Sequence, residues 1–465
     1  MTESSSHPKI EILTYSEVEE VKGFAGNFEV QIRKRARSVD PAKCTGCGDC
    51  LQKCPVKVPS EFDLGLRKRG AIYIPFPQAV PKVPVIDREH CTYFRKGKCK
   101  LCAQVCQAQA IDYEQKDEVY ARRYGAIVVA TGFTQFDPAA YGEYGGGKFK
   151  NVITGLHLER MLDSSGPTGG KIVRPSDGKP AKTIVFLQCT GSRDEAKGVS
   201  YCSRICCMYT AKHALLVREH DPEAQAFVFY IDIRAGGKGY EEFVNRVQRE
   251  HGAVYLRGRV SRIYEEGDKL VVAGVDTLAG EQVRIEADLV VLASAMVPQT
   301  DAKQVAQILN IPYDQYGFFS EAHPKLQPVE SVTKGIFLTG ACQFPKDIPD
   351  TITSTGAAAV QVCNIFSHDE MEIEPKISVV REDLCSGCWN CLSVCPFSAI
   401  EKAESGGRPV ARVIATLCSG CGNCASACRT KSIEIKGFTD NQIYAQIEAA
   451  FAREEKTEDA DTPSA

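Results

Sequence analysis

The spacing of the cysteines constrains this chain more than any other feature. One run reads Cys44-Thr-Gly-Cys47-Gly-Asp-Cys50-Leu-Gln-Lys-Cys54-Pro55. Three cysteines at a period of three wrap a loop around three corners of a cube, and the fourth, on the following helix, is free to reach a neighbouring group. With proline after the fourth, this is the ferredoxin spacing for [4Fe–4S] ligation. Zinc is the competing reading, but it takes paired C-x2-C knuckles, for which a third cysteine at the same interval is superfluous. Cys91 and Cys99-Lys-Leu-Cys102-Ala-Gln-Val-Cys106 follow. A second pair of runs stands near the other end: Cys385-Ser-Gly-Cys388-Trp-Asn-Cys391-Leu-Ser-Val-Cys395-Pro396, then Cys418-Ser-Gly-Cys421-Gly-Asn-Cys424-Ala-Ser-Ala-Cys428.

In two-cluster ferredoxin repeats the fourth cysteine of each run ligates the other cluster. That rule assigns Cys44, Cys47, Cys50 and Cys106 to one cubane, and Cys91, Cys99, Cys102 and Cys54 to its neighbour. It assigns Cys385, Cys388, Cys391 and Cys428 to a third, and Cys418, Cys421, Cys424 and Cys395 to a fourth. Two departures stand out. No proline follows Cys106 or Cys428, which alters a turn rather than a ligand. The interval from Cys91 to Cys99 is long, which makes Cys91 the weakest of the sixteen assignments.

The chain has 465 residues, 22 of them cysteine, and a net charge of −3. Its length suits two to four domains. The charge argues against a nucleic-acid surface. In an oxidising compartment so many cysteines would suggest a disulfide framework; the cluster spacings point instead to a reducing cytoplasm. The polar start predicts no signal peptide, and no apolar run reaches the length of a membrane span. The acidic, small-residue stretch Glu454 to Ala465 reads as a disordered tail.

Between the cysteine runs the hydrophobic pattern is that of an α/β protein. Ile10 to Thr14 reads as a short strand and Phe28 to Lys34 as a half-buried one. Ile74 to Pro84 carries too many prolines for helix or central strand. Glu118 to Arg122 is another strand candidate. A hairpin of strands 28–34 and 118–123, with the first cysteine module inserted into it, follows from this order. Tyr124-Gly-Ala-Ile-Val-Val-Ala-Thr131-Gly132 reads as a strand ending in a glycine turn. It is similar to the strand that feeds Ala-Thr-Gly in flavoproteins of the disulfide-reductase and thioredoxin-reductase type; a buried parallel strand with a packing turn is the plain alternative.

Thr183 to Gln188, a helix over 209–218, Phe227 to Ile233 and a helix over 240–251 form a βαβ order that implies a parallel sheet. The turn after the first strand reads Gln188-Cys189-Thr-Gly-Ser-Arg-Asp, and Gly236-Gly-Lys-Gly239 has the wrong place and spacing, so no NAD(P)H site is predicted. Strands between Val254 and Val297 should return to the sheet, with Leu289 to Ala295 buried. Gly335-Ile-Phe-Leu-Thr-Gly340-Ala-Cys342, Lys346-Asp347-Ile348-Pro-Asp350 and a helix over 354–362 then offer backbone N–H groups to an anion or a flavin edge; a tight strand–helix packing turn is the plain alternative.

Six cysteines lie outside the four clusters. Cys342 and Cys363 read as buried small hydrophobes. Cys189, Cys202, Cys206 and Cys207 fall at a strand end and a helix start, where four thiols could hold a fifth, atypical [4Fe–4S] cluster. A vicinal redox disulfide at Cys206–Cys207, or reduced buried thiols, are the other readings. The histidines show no pairing at metal-ligand spacing, and no hydrolytic nucleophile constellation stands out.

With these residues assembled, the chain resembles the A subunit of heterodisulfide reductase over nearly all of residues 7–445. The resemblance rests on Thr14-Tyr-Ser-Glu-Val-Glu-Glu, Cys44 to Pro55, Ala71-Ile-Tyr-Ile-Pro-Phe-Pro-Gln-Ala, Cys189-Thr-Gly-Ser-Arg-Asp, Tyr201-Cys202-Ser-Arg-Ile-Cys206-Cys207 and Lys346-Asp-Ile-Pro-Asp350. It implies a thioredoxin-reductase-like flavoprotein core with an incomplete first Rossmann unit, carrying an inserted and a C-terminal two-cluster ferredoxin module. The implied division is a remnant of the FAD-binding domain over 1–38, the inserted module over 39–115 and a continuation of the FAD domain over 116–180. A Rossmann-like domain with the extra cysteines covers 181–297, a return to the FAD domain 298–372, the C-terminal module 373–440, and a helix with a disordered tail 441–465.

The resemblance also implies FAD-based electron bifurcation, with ferredoxin as the low-potential acceptor. The partners it implies are heterodisulfide reductase B- and C-like subunits and an electron-transfer subunit linked to a hydrogenase or formate dehydrogenase, in a complex expected to be dimeric. Thr131, Gly132, Gly340, Lys346, Asp347 and Ile348 are the expected FAD neighbours, with Lys346 tuning the flavin ring. Family members begin with a strand and G-x-G-x-x-G that cradle the FAD pyrophosphate; no such motif occurs here. Either another chain supplies that unit, which is the favoured expectation, or flavin binding is lost and the chain is a cluster wire or scaffold.

Overall fold

Alternating residues of β1 (Ser16–Phe24) and β2 (Asn27–Lys34) turn one face inward, and Phe28, Val30 and Ile32 are buried on it. The computed structural model describes residues 2–370 and 375–458. In it, β2 pairs antiparallel with both β1 and β3 (Glu118–Tyr124), from Phe28 opposite Tyr124 to Lys34 opposite Glu118. The first cysteine module is looped out between β2 and β3. Its neck is closed by the amide of Asp40 donating to Ala110 at 2.7 Å and that of Asp112 donating to Ser38 at 3.1 Å. Residues 10–13, expected as a strand, have no regular structure; the strand begins at Ser16.

β4 (Ile127–Val129) comes next, followed by β5 (Val152–Thr154) and helix α1 (Gly155–Leu162). β6 (Thr183–Thr190), helix α2 (Cys206–His220), β7 (Gln225–Tyr230), helix α3 (Tyr240–Arg249) and β8 (Val254–Arg257) continue the alternation. The strands β9 (Val260–Glu266), β10 (Lys269–Asp276) and β11 (Glu281–Ala287) form an antiparallel sheet of their own. They were expected to return to the parallel sheet; of the strands between Val254 and Val297, β8 and β12 (Leu289–Ser294) join it and these three do not. The central parallel sheet has the order β5-β12-β6-β7-β8. β12 is buried along its whole length, as a central parallel strand should be.

The sheet takes β5 and α1 from the stretch expected to continue the FAD domain, so this domain begins before residue 181. The reason is physical: Val152 and Ile153 are apolar on both faces and complete the sheet beside β12. α2 starts at Cys206, three residues earlier than the pattern suggested. Leu158, Met161, Ile184, Phe186, Ala211, Ala214, Val217 and Val228 form the core between sheet and helices.

A second core gathers Phe28, Val30, Ile32, Val129, Leu338 and Phe319 around helix α4 (Ala302–Leu309) and β13 (Ile336–Leu338). β13 pairs parallel with β4. Helix α5 (Ile348–Phe366) is longer than the expected 354–362, because Asp347 caps it by accepting from the amide of Asp350 at 2.8 Å and Pro349 occupies its first turn. The C-terminal cysteine module is built on two short antiparallel pairs, Ser378–Val380 with Ile433–Ile435 and Ile400–Ser405 with Arg408–Val413. Helix α6 (Asp440–Glu458) follows. It carries helical structure into the first part of the expected tail; residues 459–465 lie outside the described residues. Among the described residues no helix is long and apolar enough to cross a membrane.

Candidate functional sites

The expected ligand sets come together in space. Cys44, Cys47, Cys50 and Cys106 line one cavity of about 330 Å³. Cys395, Cys418, Cys421 and Cys424 line another small cavity. Cys91, Cys99 and Cys102 act electrostatically on one tyrosine, Tyr113, and Cys54 lies in the apolar core that holds Cys91 and Cys102. Cys391 feels the charges of Cys385 and Cys388, and Cys388 that of Cys428.

The fourth cysteine of each run accepts a backbone N–H at 3.3 Å: Cys54 from Ala71, Cys106 from Ala110, Cys395 from Ala399 and Cys428 from Ser432. In the last three the donor lies four residues on, so the geometry repeats in both modules. Such bonds favour the thiolate. Cys428 also lies 3.2 Å from the Ser432 hydroxyl; against the cost of its burial, the Ser432 and Thr430 donors draw its thiol down to about 7. Burial pushes Cys50 up to about 12, because a thiolate there needs a nearby cation. Among the described residues no three His, Cys, Asp or Glu side chains could hold a single metal ion.

A third kind of thiol site sits at the C-terminal edge of the parallel sheet. Cys206 is influenced by Cys189, Cys207 and Cys202, so these four converge. The local backbone is shaped for this. The register of β6 against β12 shifts between Leu187 and Thr190, and Cys189 takes a left-handed conformation, φ 58°. Arg193 and Arg204 do the same, at φ 57° and 61°. Strained non-glycine residues of this kind concentrate at functional sites. Cys206 and Cys207 occupy the first turn of α2, where burial pushes both thiols up against the pull of the helix's positive end. The amide of Arg204 donates to Cys202 at 3.3 Å and that of Arg234 to Cys207 at 3.4 Å.

Of the remaining thiols, Cys342 is buried and donates to the Val129 carbonyl at 3.4 Å. Cys363 was expected to be buried too. It is exposed on α5, because the helix packs on the core through its other side, at Ala358.

A cavity of about 1330 Å³ opens between the turn after β4, the segment 339–355 and the start of α2. Gly132, Gly340, Lys346, Asp347 and Ile348 line it; Thr131 does not, and its carbonyl faces Gln299 Nε2 at 3.4 Å. Gly132 and Gly340 have φ of 74° and 71°, and a Cβ at Gly132 would meet nothing within 4 Å, so backbone lies open to an occupant there. Lys346 is buried rather than an exposed loop residue, 7% accessible, with Nζ donating to Gln343 Oε1 at 2.7 Å. Burial pulls its amine below the usual lysine range. The largely apolar cavity with a few polar groups fits a cofactor of flavin size. Its far wall contains Cys202, Arg204 and Tyr209. The sequence did not single out Arg204 or Tyr240 for this role. Arg204 pairs with Asp350 at 2.8 Å and Tyr240 donates to Asp347 at 3.2 Å, tying two elements far apart in the chain across the cavity.

Fold and thiol sites together define an iron–sulfur component of an oxidoreductase. Residues 37–60 match the model of a 4Fe-4S binding domain, and residues 384–443 that of a 4Fe-4S dicluster domain. The chain is 47% identical over 460 residues to the iron-sulfur A subunit of CoB–CoM heterodisulfide reductase from Methanocaldococcus jannaschii, covering 98% of this chain and 69% of that one. It is 44% identical to the A subunit of the H(2):CoB-CoM heterodisulfide,ferredoxin reductase of Methanothermobacter thermautotrophicus, over 98% and 68%. Among solved structures, T. acidophilum thioredoxin reductase aligns with a TM-score of 0.35 and 13% identity, over 64% of this chain and 86% of that one. The chain belongs to the family of heterodisulfide reductase iron–sulfur A subunits.

Proposed function

We propose that this chain binds FAD in the large cavity and passes electrons among five [4Fe–4S] clusters, as the bifurcating component of a heterodisulfide-reductase-type complex. One observation carries the reading: Cys202 and the candidate flavin neighbours Gly340 and Lys346 line the same cavity. A cofactor there would touch the four-cysteine group without an intervening element. FAD supplies the exchange between paired and single electrons, and the protein supplies position and electrostatics. Asp347 fixes the loop by capping α5, Lys346 places a buried amine beside the ring site, and the open backbone at Gly132 permits close approach.

The four ferredoxin-type clusters take the sixteen cysteines in the sets given above, and Cys189, Cys202, Cys206 and Cys207 take the fifth. A further chain or segment completes the flavin site. In support, β4 pairs only with β13 among the described residues, and Val128 on it is 44% exposed. Parallel strands are ordinarily covered on both faces, and α5 beside them exposes Ile352 and Val360 to 66% and 67%. Ferredoxin, B- and C-like subunits and a hydrogenase- or formate-dehydrogenase-linked subunit are the partners this role requires.

The test is anaerobic purification of the chain alone and with its partners, with iron, sulfide and flavin measured on each. About twenty irons per chain and flavin in the complex support the reading; about sixteen irons remove the fifth cluster. A complex free of flavin would leave a cluster wire. Lys346→Ala should retain flavin but slow its reduction; unchanged reduction removes Lys346 from the mechanism.

A further inference from the structure

Two tyrosine hydroxyls near the four-cysteine group are buried and have no hydrogen-bond partner. Tyr209, one turn into α2, lies among Cys206, Cys207 and Cys189 closely enough to feel their charges. Tyr255, on β8, is likewise influenced by Cys207 and packs edge-on against Tyr230 at 5.9 Å. The ring of Tyr209 reaches the large cavity while its oxygen is closed off from solvent. Buried polar groups are ordinarily bonded, and an orphan calls for a partner. A phenol carries one O–H to donate. The four thiols bring an acceptor into their midst when a cluster is held there, because its sulfur atoms carry negative charge.

We propose that Tyr209 and Tyr255 donate hydrogen bonds to the sulfur atoms of the cluster held by Cys189, Cys202, Cys206 and Cys207, and thereby set its reduction potential. The inference rests on that cluster being present. No bond is made or broken and neither tyrosine loses its proton. One electron enters the cluster from an external reductant, and the two donors stabilise the more negative, reduced form. Hydrogen bonds to sulfur are among the factors that set cluster potentials.

The experiment uses the full chain in its complex, titrated with dithionite and followed by EPR, in wild type, Tyr209→Phe, Tyr255→Phe and the double variant. Iron and sulfide are counted in each, and a Cys206→Ser variant identifies which signal belongs to this cluster. Each single variant should keep its iron and shift that signal to lower potential by up to about tenfold in the reduction equilibrium, ~59 mV for one electron. The double variant should shift further, with the ferredoxin-type signals unmoved. Full iron content with an unmoved signal in both single variants overturns the inference while leaving the cluster intact. Wild type without a signal lost in Cys206→Ser overturns the cluster itself. If one tyrosine variant loses iron, the other decides by its potential; iron loss in both makes the hydroxyls structural and overturns the tuning role.

Discussion

The two ferredoxin modules share a ligand spacing and a set of N–H to sulfur bonds, yet the rest of the molecule holds them differently. The inserted module is locked to the central domain. Asp63 is fully buried, accepts from Arg160 Nε and Nη2 at 3.1 and 3.0 Å, and pairs with Arg67 as well. The Arg160 guanidinium also lies 4.5 Å over the Phe62 ring. The C-terminal module meets the body across a cavity of about 410 Å³, between Lys22, Asn310 and Lys334 on one side and Phe397, Thr416 and Ser419 on the other. The sulfur surroundings differ too. Cys102 faces the Tyr113 hydroxyl at 3.0 Å within an aromatic cluster, the Tyr93 ring tilted against Tyr113 at 4.0 Å. In the C-terminal module serines do this work, Ser378 at 3.1 Å from Cys424 and Ser432 at 3.2 Å from Cys428. One spacing therefore stands in two environments, one aromatic and anchored by a buried ion pair, the other lined by serine hydroxyls and facing a cavity.

The largest test treats the modules alike. Cys50→Ser and Cys391→Ser should each cost one cluster's iron, read by iron analysis and EPR; loss in only one variant would break the likeness. The next separates them. Asp63→Ala removes two hydrogen bonds of Arg160 and leaves it paired with Asp163 alone, a cost of about 1–3 kcal/mol. Hydrogen exchange should rise around residues 58–70 and α1 and stay unchanged over 378–435. Equal rises in both would erase the difference in anchoring. A smaller effect concerns potential. Tyr113→Phe and Ser432→Ala each remove a hydroxyl beside a sulfur and should lower one cluster's potential, each in its own module, by up to about tenfold in the reduction equilibrium.

The smallest effect is on pH. His213, on α2, is held 2.7 Å from Glu159 of α1, the neighbour of Arg160. Burial holds the His213 imidazole below its ordinary range, so in the fold it is neutral. A depressed value contributes stability that is whole above the unfolded pKa, about 6.5, and is lost as pH falls through the folded one. Melting temperature should fall as the solution is acidified below about 6.5, and less steeply in His213→Gln. Loosening of α1 should reach the inserted module before the C-terminal one, and equal protease sensitivity of both at low pH would contradict that order.

Local chemistry made much of this legible. Ligand type and interval are properties of a few consecutive residues, so Cys44 to Cys54 and Cys385 to Cys428 could be read directly. The β2–β3 hairpin was visible because alternation survives on both sides of the insertion. The strand expected at Ile10 to Thr14 failed because a short alternating run has no pairing partner until the sheet is built. The return of β9 to β11 failed because which sheet a strand joins depends on edges made elsewhere in the chain.

By itself the sequence determined the cluster spacings, the α/β alternation and the positions of the glycine turns, since each is written in short-range pattern. Only the tertiary structure decided that Lys346 is buried, that Cys363 is exposed, that Asp63 meets Arg160, and that Cys202 shares a cavity with Gly340. Those facts depend on which surfaces meet across long stretches of chain. Burial and proximity, unlike ligand identity, are properties of the packed molecule.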